Sequence, residues 1–428
     1  MSGIPYIRES VILVVTPPIP SNVSLSLING SIGADTFNVR VAALSKEVSG
    51  DTTTAVAGIA SPVQQITTGA DPNDGFKISF DYIDGQRYYR VYVDNGVSYQ
   101  YKDIDITTDA TINTSTNKVE YDVTSLGGWT AGYPSGEPKN TIATGRFTGE
   151  VTLPSPQIEY ESMWEVGSIE PTLILQKQRE ISGTINGVVV DGHFLRSALG
   201  AASRTGSGPY THTYTPGRPL PPLDILAELT NLDLAGSSQK MRFKECIIDS
   251  ITITAEENEA LKYEMSIIGK DYETWSNTLT APSAVTTQPF MFYHGTFKFG
   301  SWGTIAHVNS IELSINNNVE AKFYASRTPT KLVAQRMEAS VTANLDVVNT
   351  TVWNHIANSG SDISKLDTSA LEFDFVKGSD TLRFKLINAY PKPGQYSIPE
   401  QGRINLDVEF FFENLQVILI DSVANYAL

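Results

Sequence analysis

Val, Ile, Thr, Tyr and Phe recur at every second position through most of the chain, in runs broken by clusters of Gly, Asn, Asp and Pro. A side-chain period of two belongs to strands with one buried and one wet face, so the chain reads as all-β. Helical spacing is confined to three short segments: residues 191–199, stopped by Gly200; 223–229, after Pro221-Pro222; and 349–357, with Asn349 or Thr350 as N-cap. Residues 107–149 turn Thr/Asn/Ser/Gly-rich, punctuated by Gly127-Gly128, Pro134 and Pro138, and mark a boundary near residue 150. The expected organisation is an N-terminal strand or arm over 1–19, a β-sandwich-like accessory domain and linker over 20–150, and an antiparallel β-sandwich or barrel with a few short helices over 151–428. No fixed-period repeat is evident, which argues against a solenoid or propeller.

Two hairpins are readable in detail. Leu371, Phe373 and Phe375 alternate with Glu372 and Asp374, and Leu382, Phe384 and Leu386 alternate with Arg383 and Lys385. A four-residue loop over Lys377-Gly378-Ser379-Asp380 sets Asp374 opposite Arg383, Glu372 opposite Lys385 and Phe373 opposite Phe384. Each cross-strand pair is worth only ~0.2–1 kcal/mol, but together they fix the register. In the second hairpin, a three-residue loop at Glu256-Glu257-Asn258, with Asn258 left-handed, sets Ile253 against Leu261 and Ile251 against Tyr263.

With 428 residues the chain is long enough for two or three domains, each with a core that needs no disulfide staples. There are 31 Lys+Arg against 47 Asp+Glu, a net charge of −16. Residues 1–150 hold 10 basic and 16 acidic side chains and the remainder 21 and 31, so neither half is a basic arm. Such a chain lacks the cationic footprint with which nucleic-acid binders neutralise phosphates. The single cysteine, Cys246, has no internal partner, and five histidines leave little for a zinc site. Arg8 before Val11-Ile12-Leu13-Val14-Val15 is too short a run for a secretory leader, and no apolar stretch approaches the ~18–20 residues of a spanning helix. A soluble protein made in a cytoplasm is expected, in which the sequons at Asn22, Asn29, Asn113 and Asn349 carry no sugar.

Candidate chemistry is sparse. Gly-x-Ser-x-Gly, Walker A, His-Glu-x-x-His and a strand followed by Gly-x-Gly-x-x-Gly are all missing from the sequence. His212, between Thr211 and Thr213, is the most suggestive histidine, but no nucleophile or acid is marked as its partner, and a structural role in a loop is expected. Glu256, Glu257 and Glu259 share a turn, without the Asp/Asn/Gly spacing of a calcium loop. Trp129, Trp164, Trp275, Trp302 and Trp353 read as core or as a sugar platform. Among 47 carboxylates a facing glycosidase pair stays open.

From about Glu159 onward a set of landmarks occurs in one order. Glu161-Ser162-Met163-Trp164-Glu165-Val166-Gly167 precedes a strand through Arg179-Glu180-Ile181-Ser182-Gly183-Thr184-Ile185-Asn186-Gly187. Then follow Pro209-Tyr210-Thr211-His212-Thr213-Tyr214, Leu220-Pro221-Pro222-Leu223, and Phe243-Lys244-Glu245-Cys246-Ile247-Ile248-Asp249-Ser250 leading into Ile268-Gly269-Lys270. Pro289-Phe290-Met291-Phe292 and Val308-Asn309-Ser310-Ile311-Glu312-Leu313-Ser314-Ile315-Asn316-Asn317-Asn318 come next, and a closing strand over 402–412 followed by 415–421 ends the series. In this order they resemble the tail tube proteins of tailed viruses, over about two thirds of the chain. Glu245 stands where that family often has Gly. The first 150 residues do not share the likeness; residues 36–44 and 88–93 resemble strands of a fibronectin type III or immunoglobulin-like module, with Phe80 in place of the usual core Trp, and an unrelated β-insertion is the other reading.

The resemblance implies a non-enzymatic virion protein with no metal or cofactor, forming hexameric rings that stack into the tail tube through which the genome leaves. Implied partners are further copies of itself, the tape measure protein, tail-end proteins, and a sheath protein if the tail contracts. DNA would pass without specific binding, and no membrane is involved. A bore that passes DNA should be polar and net negative, since wall charges act over ~8 Å at physiological salt. Glu372, Asp374, Asp407 and Glu409, on polar faces of alternating strands, are candidates to line it, or else face outward. Alternatives are a terminator or distal tail ring, a glycan-binding adhesin, and the glycosidase above.

Overall fold

The computed structural model describes residues 10–46, 55–70, 72–134, 151–166, 168–230, 238–276, 279, 288–299, 307–346, 371–397, 405–424 and 426. The strands begin with β1 (Ser10–Thr16), followed by β2 (Ser24–Ile28), β3 (Thr36–Ser45), β4 (Val56–Ala57), β5 (Gln64–Thr67), β6 (Gly75–Asp81), β7 (Tyr88–Asp94), β8 (Tyr99–Asp105), β9 (Thr111–Asn113), β10 (Lys118–Val123) and β11 (Thr130–Ala131). Then come β12 (Val151–Met163), β13 (Leu173–Val188), the helix α1 (Leu195–Leu199), β14 (Gly200–Thr205), β15 (Tyr210–Pro216), β16 (Leu223–Thr230), β17 (Ser238–Glu256), β18 (Lys262–Gly269) and β19 (Asp271–Thr274). The chain continues through β20 (Gly295–Phe299), β21 (Val308–Asn316), β22 (Val319–Lys322), β23 (Lys331–Ala334), β24 (Glu338–Asp346), β25 (Leu371–Lys377), β26 (Asp380–Ser397) and β27 (Asn405–Asp421). The protein is all-β, and every strand pair is antiparallel.

β2 to β11 form two sheets, of four strands (β2-β6-β10-β9) and six (β11-β8-β7-β3-β4, with β5 on β3), enclosing a core of their own that includes Val39, Phe76, Phe80, Tyr89 and Val119. Phe80 is fully buried with its ring 4.8 Å from that of Tyr89. The module is seated on the rest of the molecule. Gly85, at φ +87°, lies so close to the body that a Cβ there would stand 2.5 Å from the Leu220 carbonyl oxygen. Asp84 pairs with Lys331 at 3.0 Å, and the Ser45 hydroxyl donates to the Tyr426 carbonyl at 3.0 Å.

The body is built on a 15-stranded sheet wrapped round the main core, with the two-stranded sheet of β22 and β23 and smaller apolar clusters beside it. β1, from before the module, belongs to it through its pairing with β16, so the module is an excursion between two stretches of body. The segment 223–229, read as a helix from its sequence, is the strand β16. It is paired on both edges, by β1 and β17, and Leu223 through Glu228 are all buried. A strand buried on both faces loses its alternation and cannot be told from a buried helix by periodicity. Its two buried carboxylates are satisfied: Arg242 Nε donates to Asp224 Oδ2 at 2.7 Å, Asp224 accepts the backbone N–H groups of Ile19 and Glu245, both at 2.9 Å, and Glu228 accepts the Leu279 N–H at 2.9 Å. The segment 191–199 is helical only over Leu195–Leu199, and 349–357 lies outside the described residues.

The β25–β26 hairpin has the expected register, with Glu372 opposite Lys385, Phe373 opposite Phe384 and Asp374 opposite Arg383; pairing runs one step further, to Lys377 and Asp380. In the β17–β18 hairpin Asn258 is left-handed at φ 64° as expected, but Ile253 faces Tyr263 and Ile251 faces Met265. The register is two residues off because Leu261 is held elsewhere, donating to the Phe290 carbonyl and accepting from Val189 N–H, each at 2.8 Å. A shift of two keeps the same side chains on the core face.

Wrapping one core with long strands requires that a strand change which parity faces inward. In β26, Leu382, Phe384 and Leu386 are buried on one side of the ribbon's corner and Ala389 on the other; in β27, Leu406, Val408 and Phe410 give way to Leu415, Val417 and Leu419. Asn388, at φ 54°, sits at the corner and donates to Glu413 Oε2 at 2.6 Å. β17 turns similarly at Glu245, φ 47°, whose carboxylate accepts from Lys270 at 2.9 Å and 3.0 Å. Burial pushes that carboxyl up, with Lys270 opposing. A left-handed residue with a Cβ costs roughly 1–2 kcal/mol unless it is Gly or, less so, Asn. Asn388→Gly should therefore be nearly neutral and Asn388→Val should lose about 2 kcal/mol in urea unfolding. Glu245→Gly trades strain relief against a partly exposed ion pair and should stay within about 1 kcal/mol of the parent, while Glu245→Val, with strain and no pair, should lose about 2 kcal/mol.

Candidate functional site

Beyond its root on β18, which spans Ile181 to Val188, the β12–β13 hairpin leaves the body. At that root the Arg179 N–H donates to the Arg327 carbonyl at 2.8 Å, and its guanidinium bonds Asp271 at 2.7 Å and lies 4.8 Å from the Tyr272 ring. From 159 to 178 every described residue is exposed. Pairing continues outward to Met163 opposite Leu173, so the backbone is ordered into a ribbon whose outer part, past a cleft shared with Phe323 and Arg327 at its base, is not covered by the other described residues. Eight of the 18 exposed large apolar side chains among the described residues fall in this stretch: Tyr160, Met163, Trp164, Val166, Ile169, Leu173, Ile174 and Leu175. An isolated two-stranded ribbon is marginal in water, and a contiguous apolar patch marks a contact surface. Glu159, Glu161, Glu165 and Glu170 accompany these residues, with Lys177 pairing Glu161 at 3.4 Å.

The second surface is the wet face of the sheet from β18 through β17, β21 and β24 to β27 and β26. Register places Lys262, Thr254, Glu312, Thr342, Glu409 and Lys392 in one row across six strands. The next row holds Glu256, Ser310, Asn344 and Asp407. Carboxylates at Glu256, Glu264, Glu312, Glu338, Asp346, Asp407 and Glu409 face Lys262 and Lys392 among Ser, Thr and Asn, so this face is hydroxylated and net acidic. Asn344 donates to Asp407 at 2.6 Å, and Lys392 to Glu409 at 3.1 Å.

The four carboxylates singled out from sequence thus separate into two pairs. Asp407 and Glu409 share the acidic face. Glu372 and Asp374 lie beyond the β26–β27 corner at Asn388, among bases: Arg383 grips Asp374 through two bonds of 2.6 Å and 2.9 Å, which raises the guanidinium pKa, and Lys385 and Lys298 stand 3.6 Å and 3.8 Å from Glu372. Asp374 is only 6% exposed. Sequence reading overlooked Glu312, although the alternation Ser310-x-Glu312-x-Ser314 marks it as wet.

The other sequence candidates serve packing or stand apart. His212 is fully buried and bonds the Val423 carbonyl at 2.8 Å, with the Tyr426 ring 5.1 Å away. Glu259 pairs with Lys262, while Glu256 and Glu257 are exposed. Trp129 packs on the module core, Trp275 on the Ile19–Leu226 cluster, and Trp164 at the ribbon tip; Trp302 and Trp353 lie outside the described residues. No group of three or more metal-ligating side chains forms among the described residues, and no helix there is long and apolar enough to cross a membrane.

The class these surfaces define is a structural β-protein. The family described as phage tail tube protein matches residues 130–410, well over half of the chain, and the chain belongs to that family. The match begins at the module's last strand, β11, and ends within β27, so it covers both the ribbon and the acidic face. It is thus a structural tail tube protein, a component of the virion tail. A search of the curated proteins returned no match.

Proposed function

We propose that copies of this chain form hexameric rings that stack end to end into the tail tube, a conduit for the genome, and that the protein works by assembly without catalysis. The observation that carries this reading is the ribbon over residues 159–178, exposed throughout its described residues and rich in apolar side chains that the other described residues leave uncovered. A second copy of the chain is its partner in this reading, and the sixfold symmetry is what the resemblance implies. The acidic, hydroxyl-rich face lines the bore, Glu312, Asp407 and Glu409 among its wall charges. A wall with excess carboxylate repels passing phosphates, and hydroxyls give DNA no apolar surface to adhere to. In the division we favour, residues 20–150 are an accessory domain of immunoglobulin-like type on the tube exterior and 151–428, with the 1–19 arm, the ring-forming body. Tape measure and tail-end proteins, and a sheath if the tail contracts, complete the set of partners.

Electron microscopy of the purified protein and of virions tests the assembly. Rings or tubes, and density for this chain in the tail tube, are expected; a protein monomeric at every concentration and missing from tails would sink the reading. Trp164→Ser combined with Leu175→Ser should abolish polymerisation while shifting monomer stability by no more than about 0.5 kcal/mol, because both side chains are exposed. Glu312→Lys with Glu409→Lys should leave tube formation intact and slow DNA release in a salt-dependent manner; release at the parental rate at low salt would place this face away from the bore.

A further inference from the structure

If copies join through the ribbon, some surface of the neighbour must receive it. Candidate seats among the described residues include three broad sheet faces. The acidic face would repel a ribbon carrying Glu159, Glu161, Glu165 and Glu170. The outer face of the module's four-stranded sheet is wholly polar at its β6 and β10 positions, with Lys77 engaged by Glu120 at 3.1 Å and Asp122 at 3.7 Å. The remaining face belongs to β15, β27, β26, β25 and β20, beyond the β26–β27 corner at Asn388, and it differs in kind. Register puts Thr211, Ile420, Thr381 and Val376 in one row and Thr213, Ile418, Arg383 and Asp374 in the next. Val376 is 48% exposed, and Ile418 and Ile420 are partly so. Its bases, Lys298, Arg383 and Lys385, outnumber Glu372 and Asp374 and keep about a third to a half of their side-chain surface in solvent.

We propose that this β-branched, base-bordered face is the seat for the ribbon of a neighbouring copy, taking Met163, Leu173 and Leu175 against Val376, Ile418 and Ile420, with ribbon carboxylates beside Lys298 and Lys385. The proposal rests on the assembly reading above. Complementarity holds in both terms that decide an interface: apolar area meets apolar area, and a local excess of acid meets a local excess of base. The ion pairs already on the face hold Arg383 and Lys385 upright, so docking orders few further side chains.

The test uses the full chain, whose native Cys246 is buried and does not compete for thiol reagents. A chain carrying Leu175→Cys mixed with one carrying Val376→Cys, assembled and treated with a short bifunctional maleimide, should yield covalent dimers. The control pair Leu175→Cys and Thr342→Cys, whose second thiol is on the acidic face, should not. Independently, Lys298→Glu with Lys385→Glu should raise the concentration needed for assembly about tenfold or more, the effect of ~1.4 kcal/mol per contact, and Glu159→Lys with Glu161→Lys in the same chain should restore it. Polymers that form but cross-link only in the control pair overturn the seat and leave the assembly reading standing. A parent chain that never polymerises overturns both. Circular dichroism of each monomer separates lost docking from lost folding.

Discussion

A sheet with a period of two can close round a core only where its strands are allowed to trade faces, and the body depends on a few residues that permit this. Asn388 and Glu245 take left-handed backbone within the two long ribbons, and each is held by side-chain bonds, to Glu413 and to Lys270. Past each corner the same strand pairs with different neighbours: β27 with β24 before its corner and with β15 after it, β17 with β16 and β19 before and with β18 and β21 after. The corner at Asn388 therefore separates the acidic face from the base-bordered one. A flat sheet would have presented one mixed surface; the turned sheet sorts charge by side.

How much of this was legible in the chain follows from where specificity is local. The 371–386 hairpin could be read to the residue because opposite charges and aromatic partners lie across one short turn. β16 could not, since burial on both faces erased the alternation that distinguishes strand from helix. The β17–β18 register slipped by two because Leu261 answers to Val189 and Phe290, about 30 to 70 positions away in sequence, which no window over the hairpin contains. The ribbon tip was noticed as a landmark, but exposure is a property of what surrounds a segment, and an apolar run such as Leu173-Ile174-Leu175 looks the same buried or bare. The acidic face was half legible: Asp407 and Glu409 stood out as polar positions of a strand, whereas their row-mates on β17, β18, β21 and β24 are neighbours only through hydrogen-bond register. Glu245, conspicuous as a departure from the family's Gly, proves to occupy the kind of backbone conformation that favours Gly.

The net charge of −16 takes on a different meaning once its placement is known. On the wet face of β17 to β27 carboxylates exceed bases by a wide margin, while on the opposite side of the corner bases prevail. An overall figure conceals that polarity. Mutations that alter the total charge by the same amount should differ in consequence according to which side of Asn388 they fall on, because only one side is proposed to face DNA.

The ribbon also has a length. Strands advance about 3.3 Å per residue, so the five positions from 159 to 163, past the anchored Arg179 opposite Ile158, carry the paired strand roughly 17 Å beyond the body. A reach set by hydrogen-bonded strand is a fixed gauge, unlike that of a flexible tail, which averages over many extensions. Neighbouring subunits joined through it can be no farther apart than the gauge allows, and deleting two consecutive cross-strand pairs would shorten that spacing by one whole two-residue step of the ladder, about 7 Å, rather than continuously.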